Sequence, residues 1–152
     1  MKFILTENGN EAVSLAFVKD FAIERVVYQD CDGSHVIAEL DDDDDATIKI
    51  FESEDADGNF SAAKAYIAEL VGKLNVDGAK FILTASGNGA INLAFIDTFN
   101  VGKIVYEGAE KFCVEAVLSN ETKKIVSREF DSADEAEKFL AELVEKINGG
   151  TK

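Results

Sequence analysis

The 152-residue chain contains no proline, and it has only two cysteines, one histidine and two arginines. Two cysteines are too few for a disulfide framework, so we expect Cys31 and Cys113 to be free thiols. One histidine and two separated cysteines cannot supply the four ligands of a structural zinc site. The two arginines, Arg25 and Arg128, form no basic cluster for phosphate groups, which disfavours direct binding to nucleic acid.

Long apolar stretches are also missing from the sequence. No segment approaches the roughly 20 apolar residues that a membrane-spanning helix needs, so we predict no membrane partner. Residues 1–7 lack the apolar segment and the small-residue cleavage site of a signal peptide, and we therefore expect a cytoplasmic protein. The absence of proline is compatible with sheet meanders that turn at glycine and asparagine.

Hydrophobic and acidic residues are abundant. Hydrophobic residues make up 47% of the chain and include 11 Phe, which allows a packed core and argues against disorder. Against 15 basic residues stand 30 acidic ones, which gives a formal net charge of -15. A chain of this length forms one domain or two small ones.

The sequence repeats itself. The pentapeptide Lys-Phe-Ile-Leu-Thr occupies residues 2–6 and again residues 80–84, and 17 identities fall within residues 2–40 at this offset of 78. Further on, the tetrapeptide Ala-Glu-Leu-Val occupies residues 68–71 and 141–144, at an offset of 73. Such self-similarity is typical of an architecture built from repeated units.

The first repeat is therefore five residues longer than the second. We place most of the excess at residues 54–59, in a loop before the first helix. We predict two domains of similar fold, residues 1–78 and 79–152. Since a unit of about 75 residues is marginal alone, we expect two lobes packed about a pseudo-twofold axis.

Each repeat has the pattern of a β-meander, with four to five antiparallel strands, followed by one α-helix. Turn signals at Asn8-Gly9, Lys19-Asp20 and Asp32-Gly33 separate the strands of the first repeat. Val36, Ala38 and Leu40 occupy alternate positions, which places them on the core face of one strand. The predicted strands are residues 2–6, 11–18, 23–29, 34–41 and 46–52 in the first repeat, and 80–84, 89–96, 101–107, 111–118 and 123–130 in the second.

Both helices are predicted from apolar stripes at helical spacing. Ser132 followed by Glu135 matches a capping box at the start of the second helix. A helix that is apolar on one side and follows a strand meander is expected to lie across one face of the sheet, in an α+β fold. The stripes are Tyr66, Ile67, Leu70, Val71 and Leu74 in the first repeat, and Phe139, Leu140, Leu143, Val144 and Ile147 in the second.

This order of strands and helix resembles that of the small nucleic-acid-binding repeats of the PUR and whirly type. The resemblance is one of topology and implies an α+β fold for each repeat. It does not imply nucleic-acid binding, because the basic, aromatic strand face that those proteins use is not found in this sequence.

The negative charge is concentrated in the first repeat. Residues 1–78 contain 18 acidic and 6 basic residues, a net charge of -12, whereas residues 79–152 contain 12 and 9, a net charge of -3. A run of five aspartates lies between two predicted strands, at the tip of a hairpin. It is interpreted as a solubilising turn, as a metal-binding loop or as a negative patch for a basic partner. The acidic positions of the proposed patch are Asp41, Asp42, Asp43, Asp44 and Asp45, with Glu54, Asp55 and Asp57 as a second group.

Calcium is the metal to test against the second acidic group. Asp55 and Asp57 precede Gly58 as two ligands of an EF-hand loop do, but that frame places Ser53 first and Lys64 last. An aspartate and a bidentate glutamate are needed at those two positions. We therefore predict no cofactor, and weak calcium binding stays an alternative.

Enzymatic motifs are not found. Cys31 and His35 flank a predicted turn, so a thiolate and an imidazole could approach each other, but the second repeat has Ala109 and Cys113 in their place. Ser86-Gly87-Asn88-Gly89 lacks the lysine of a phosphate-binding loop and precedes a predicted strand. We therefore predict a protein that is not an enzyme.

These patterns favour an acidic interaction protein that binds a basic surface of a partner protein. The most plausible partner surface is the nucleic-acid channel of another protein, which a line of carboxylates would enter by imitating a line of phosphates. Small size and acidity are shared with phage-encoded inhibitors of host defence, such as anti-CRISPR proteins. The alternative hypothesis is an assembly component that forms homo-oligomers through exposed strand edges, with acidity serving solubility.

Overall fold

A computed structural model describes residues 3–7, 9–27, 29–41, 46–54, 58–78, 80–119 and 121–149. Within these residues, ten strands form three antiparallel sheets and there are two helices, so the fold is mixed α+β, as expected. In chain order the elements are β1 (Phe3–Leu5), β2 (Ala12–Ser14), β3 (Val18–Val27), β4 (Asp32–Leu40), β5 (Thr47–Glu54), α1 (Ser61–Val76), β6 (Phe81–Leu83), β7 (Gly89–Asn92), β8 (Ile96–Tyr106), β9 (Ala109–Leu118), β10 (Lys123–Ile125) and α2 (Ala133–Gly149).

Contacts divide the chain into two compact units, Met1–Phe95 and Ile96–Lys152. In the first unit, five strands form one sheet in the order β5-β4-β3-β7-β6, while β1 and β2 pair with each other in a separate two-stranded sheet. Helix α1 contacts all five strands of the larger sheet and lies across one of its faces, which confirms the predicted packing of helix on sheet.

The core of the first unit lies between α1 and this sheet. The alternation of β4 is confirmed, since Val36 and Ala38 are fully buried and belong to the same hydrophobic core as α1. On the helix, Ile67, Leu70, Val71 and Leu74 of the predicted stripe are buried. Tyr66 is partly buried and stacks on Phe51, with 4.4 Å between the ring centroids.

The predicted turn at Lys19-Asp20 is wrong. Both residues lie inside β3 and are buried. The chain changes direction earlier, in a 3-10 turn at Leu15–Phe17, and the pairing of β3 with β4 shifts in register between Val18 and Asp20. Asp20 is paired on both sides, with Glu39 and with Ile91, and such pairing outweighs the local turn preference of a Lys-Asp sequence.

The other predicted turns of the first repeat have different outcomes. Gly9 has a φ of 74°, which suits a glycine turn, while Asn8 lies outside the described residues. Asp32 and Gly33 are the first two residues of β4, so the chain bends before them, at residues 29–31. Predicted strand 123–130 is shorter than expected, because β10 ends at Ile125 and Phe130 forms only an isolated bridge to Phe112.

The hairpin β6–β7 belongs by sequence to the second repeat but completes the sheet of the first unit. Residues 20–22 of β3 pair with residues 89–91 of β7. The Phe81 ring packs against Phe21 with 5.2 Å between centroids. Asn75 at the end of α1 donates from Nδ2 to the Phe81 carbonyl at 3.0 Å, and its Oδ1 accepts from the Phe81 N–H at 2.9 Å. The compact units thus divide after Phe95, while the repeat boundary at residue 78 stays a prediction about sequence.

The second unit contains a three-stranded sheet in the order β10-β9-β8, with α2 packed on β8 and β9. The predicted helix start is confirmed, because α2 begins at Ala133 and the Ser132 Oγ accepts from the Glu135 N–H at 3.2 Å. Ser132 Oγ also donates to the Glu135 carboxylate at 3.2 Å. Its apolar stripe is only half-buried, and Ala136 is the buried residue of this helix.

Candidate functional site

The outer face of the five-stranded sheet, opposite α1, carries a row of acidic side chains. In β3, β4 and β5 the residues next to the core positions point away from the helix because side chains alternate along a strand. The register places Glu24, His35 and Glu52 opposite one another on these three strands. We call the outer-face carboxylates Glu24, Glu39, Glu52 and Glu54 the acidic stripe.

Two basic side chains accompany the acidic stripe, and both contact Glu52. His35 Nε2 lies 3.0 Å from Glu52 Oε2, and its Nδ1 lies 3.9 Å from Glu24 Oε1. Lys49 Nζ lies 3.6 Å from Glu52 Oε1. The stripe therefore keeps more negative than positive charge, with four carboxylates against one lysine and a histidine.

A shallow depression continues the stripe at the end of β5. Its volume is about 570 Å³, and its carboxylates come from Asp30, Glu52 and Glu54. Cys31 also lines it, whereas His35 is held between Glu24 and Glu52. Like charges gathered at one concave surface reinforce each other's potential.

The structure places the predicted site residues at two ends of one hairpin. β4 and β5 pair as an antiparallel hairpin that the Leu40 N–H closes by donating to the Ala46 carbonyl at 2.9 Å. Asp41 follows β4 directly, is exposed, and donates its N–H to the Phe17 carbonyl at 2.7 Å. Asp42, Asp43, Asp44 and Asp45 lie outside the described residues, as do Asp55 and Asp57.

Glu54 ends β5 and pairs with Gly33, at the opposite end of the hairpin from Asp41. Eight residue steps separate Gly33 from Asp41 and span roughly 26 Å, so Asp41 and Glu54, the described members of the two predicted acidic groups, lie at opposite ends of the hairpin. Glu24, Glu39 and Glu52 lie between them and were missed by the sequence argument, which looked for runs of acidic residues. The signal that could have found them is that each follows directly on an apolar residue of the core face, namely Ile23, Ala38 and Phe51.

In the second unit, two hydrogen-bonded pairs involve titratable side chains. The Tyr106 hydroxyl donates to Glu129 Oε1 at 2.5 Å, and this hydrogen bond raises the pKa of Tyr106. Lys111 is paired with Asp131; their hydrogen bond lowers the pKa of the carboxyl and raises that of the lysine. This pair stabilises the fold above the unfolded pKa of the carboxyl, and the effect is lost as pH falls through the lowered pKa of Asp131.

Both cysteines are free, as expected, but their surroundings differ. Cys31 is partly exposed, whereas Cys113 is 1% exposed and its burial, followed by the charges of Glu115 and Glu129, raises its pKa. A raised pKa leaves less thiolate, which is the nucleophilic form.

We therefore expect Cys31 to react with a chromogenic aromatic disulfide about tenfold or more faster than Cys113 in the folded protein. Absorbance would show one fast thiol per chain, and a second only after denaturation. Cys31→Ser should abolish the fast phase and Cys113→Ala should retain it. Two fast thiols in the native protein would contradict the burial of Cys113.

The described part of the chain contains no group of three or more His, Cys, Asp or Glu side chains placed to hold a metal ion. Neither helix in this part is long and apolar enough to cross a membrane. Comparisons of the chain with protein-family models, curated proteins and solved structures give no match.

Proposed function

We propose that this chain is an acidic interaction protein that binds a basic surface of a partner protein and has no enzymatic activity. The acidic stripe on the outer face of the sheet is the observation that supports this function most directly. Its carboxylates stand on three paired strands, so the spacing is fixed by the sheet and little entropy is lost when a partner binds.

Charge placement supports the choice of a basic partner. Glu52 and Glu54 are alternate residues of one strand, about 6.7 Å apart, and Glu24 lies two strand spacings from Glu52, about 9.6 Å, which is close to the Debye length of about 8 Å at physiological salt. Glu39 lies further along β4 and extends the stripe toward Asp41. Carboxylates at these spacings act together on an approaching cation. In sequence, the aspartate run at 41–45 connects β4 to β5, and its charge adds to the field that raises the rate of encounter with positive surfaces.

The partner class that this arrangement fits is a protein that itself binds nucleic acid. A groove lined by Lys and Arg for phosphates also accepts a line of carboxylates, since both are anionic oxygen acceptors. An inhibitor that occupies such a groove, as anti-CRISPR proteins of phages do, is the corresponding biological role. The support for this role is size, charge and the acidic stripe.

The test begins with capture of proteins from nuclease-treated extract on the immobilised chain, followed by purification of those that duplex DNA displaces. Affinity is then measured for one purified partner. Removing three carboxylates of the stripe, in the triple variant E24Q/E52Q/E54Q, should weaken binding about tenfold at low salt, because each exposed pair contributes up to ~1 kcal/mol. The effect should shrink as salt is raised.

A matched control removes three exposed carboxylates from α2, in the variant E137Q/E142Q/E145Q. It changes the net charge equally but leaves the stripe intact, so its affinity should stay within about twofold of the unaltered chain. Replacing Asp41 to Asp45 by Ser and Asn is a separate arm that tests the aspartate run. Equal weakening by the stripe variant and the α2 control would show that only net charge matters and would overturn the proposed site.

We also propose that the two repeats are copies of one unit. Local geometry supports this: the Thr6 N–H donates to Glu11 O and the Thr84 N–H to Gly89 O, both at 2.9 Å, so the two hairpins close alike. The ladders β3–β4 and β8–β9 shift register at equivalent places, between residues 18 and 20 and between residues 96 and 98.

A further inference from the structure

Strand β8 lies at the edge of its three-stranded sheet, with β9 on one side. Its counterpart in the first repeat, β3, has a neighbour on both sides, because β7 pairs with residues 20–22. The backbone N–H and C=O groups along an edge strand offer a ladder to which a further strand can be added. In the described residues, β8 of the second unit therefore pairs on one side only, whereas β3 of the first unit pairs on both sides.

The core of the second unit is also less complete. In the first unit α1 contacts β6 and β7, and Leu74 and Ile67 on that helix are fully buried. In α2 their counterparts, Ile147 and Leu140, are only half-buried, and Val144 is 39% exposed. A hairpin added beside β8 would cover this helix as β6–β7 covers α1.

The hairpin β1–β2 has the surface that fits this edge. It carries the same pentapeptide as the β6 region, but Phe3 is 59% exposed while its counterpart Phe81 is 3% exposed. Leu5 is 66% exposed and lies on the same side of β1 as Phe3, with Ala12 opposite. The other side of the hairpin, with Ile4 and Val13, is already buried in the first unit.

We propose that the β8 edge binds the β1–β2 hairpin of a second copy of this chain. Within the described residues of one chain, the Phe3 and Leu5 side of the hairpin is exposed and β8 is an edge strand, so a second copy covers what one copy leaves open. Two copies that exchange hairpins reciprocally form a closed, isologous dimer. This inference is independent of the acidic stripe.

The internal repeat fixes the register of this contact. Phe21 pairs with Ala90 and Asp20 with Ile91, so the counterpart pairs are Phe99 with Ala12 and Thr98 with Val13. A Cβ atom at Gly89 would lie 2.5 Å from the Phe21 carbonyl oxygen, and the counterpart of Gly89 is Glu11. The new ladder is therefore expected to end before Glu11, in agreement with the start of β2 at Ala12.

Sedimentation velocity over a range of concentrations tests the dimer. We expect a concentration-dependent dimer whose dissociation constant rises at least about tenfold in F3S/L5S, since two apolar side chains lose their burial. The matched control V27S/V76S removes two exposed apolar side chains elsewhere, 76% and 87% exposed, and should leave the dimer unchanged. A chain that stays monomeric at every concentration, or equal effects of the two variants, would overturn the proposal.

Disulfide cross-linking tests whether the β1–β2 hairpin pairs with β8 of a second copy or with β8 of its own chain. In a C31S/C113A background, A12C and F99C are made singly, mixed and oxidised with oxidised glutathione, because Ala12 is exposed beside Leu5 and its expected partner Phe99 is only half-buried. Antiparallel partners lie within disulfide reach, so the mixture should give covalent dimers that neither variant gives alone. If the double variant A12C/F99C gives only an internally bridged monomer, the proposal is wrong.

Discussion

Replacing Leu74 by alanine should lower the free energy of unfolding by about 3 kcal/mol. Leu74 is fully buried between α1 and the five-stranded sheet, at the centre of the larger core. Truncating a buried leucine removes its transfer free energy and leaves a cavity, which together cost about 2–5 kcal/mol. For a chain of this size, the loss corresponds to a fall in melting temperature of about 6–12 °C.

The matched variant is Ile147→Ala at the equivalent position of α2. Ile147 is half-buried, so less apolar area is lost and we expect a cost of about 1 kcal/mol. Urea denaturation followed by far-ultraviolet circular dichroism measures both, with each variant made in the F3S/L5S background so that the chain is compared as a monomer. Equal losses in the two variants would contradict the conclusion that the helices differ in burial.

Replacing Gly89 by alanine should lower the free energy of unfolding by about 2–3 kcal/mol. The added Cβ would lie 2.5 Å from the Phe21 carbonyl oxygen, a backbone atom that cannot rotate away. Strand β7 would have to move from β3, which strains the pairs Ala22 with Gly89 and Phe21 with Ala90. Overpacking of this kind costs about 1–3 kcal/mol.

Gly72→Ala is the control for this effect. Gly72 lies within α1, and no atom lies within 4 Å of an added Cβ, so alanine should stabilise the protein by about 1 kcal/mol through helix propensity. Denaturation gives the free energies, and amide hydrogen exchange at Ala90 and Ile91 reports the β3–β7 pairing. A neutral Gly89→Ala with unchanged exchange would show that β7 does not approach β3 this closely.

The local elements were largely predictable from sequence, because their signals are local. The capping serine Ser132 and the apolar stripe of α1 gave the helices, and alternation at Val36 and Ala38 gave the core face of β4. The turn at Lys19-Asp20 was not predictable in this way. Its residues are enclosed by strands on both sides, and one of those strands, β7, comes from about 70 residues further along the chain.

In the candidate site, too, the sequence predicted local features but not which side chains become neighbours. The five aspartates were recognised because they are consecutive in sequence, and the strands before and after them, β4 and β5, pair as the predicted hairpin. Glu24 and Glu52 were not selected, since they are far apart in sequence and become neighbours of His35 only through the register of three strands. Sequence alone gives the side of a strand on which a carboxylate lies, but not which carboxylates meet.

The repeated pentapeptide at residues 2–6 and 80–84 shows what the local sequence determines and what the tertiary structure determines. By itself the sequence determined that both copies form a short strand of a hairpin, because that depends on alternation and on turn residues nearby. Only the tertiary structure decided that Phe81 is buried against Phe21 while Phe3 is exposed. The reason is that burial depends on which sheet edge a hairpin meets, and strand pairing between distant segments is set by the packing of the whole unit and not by local sequence.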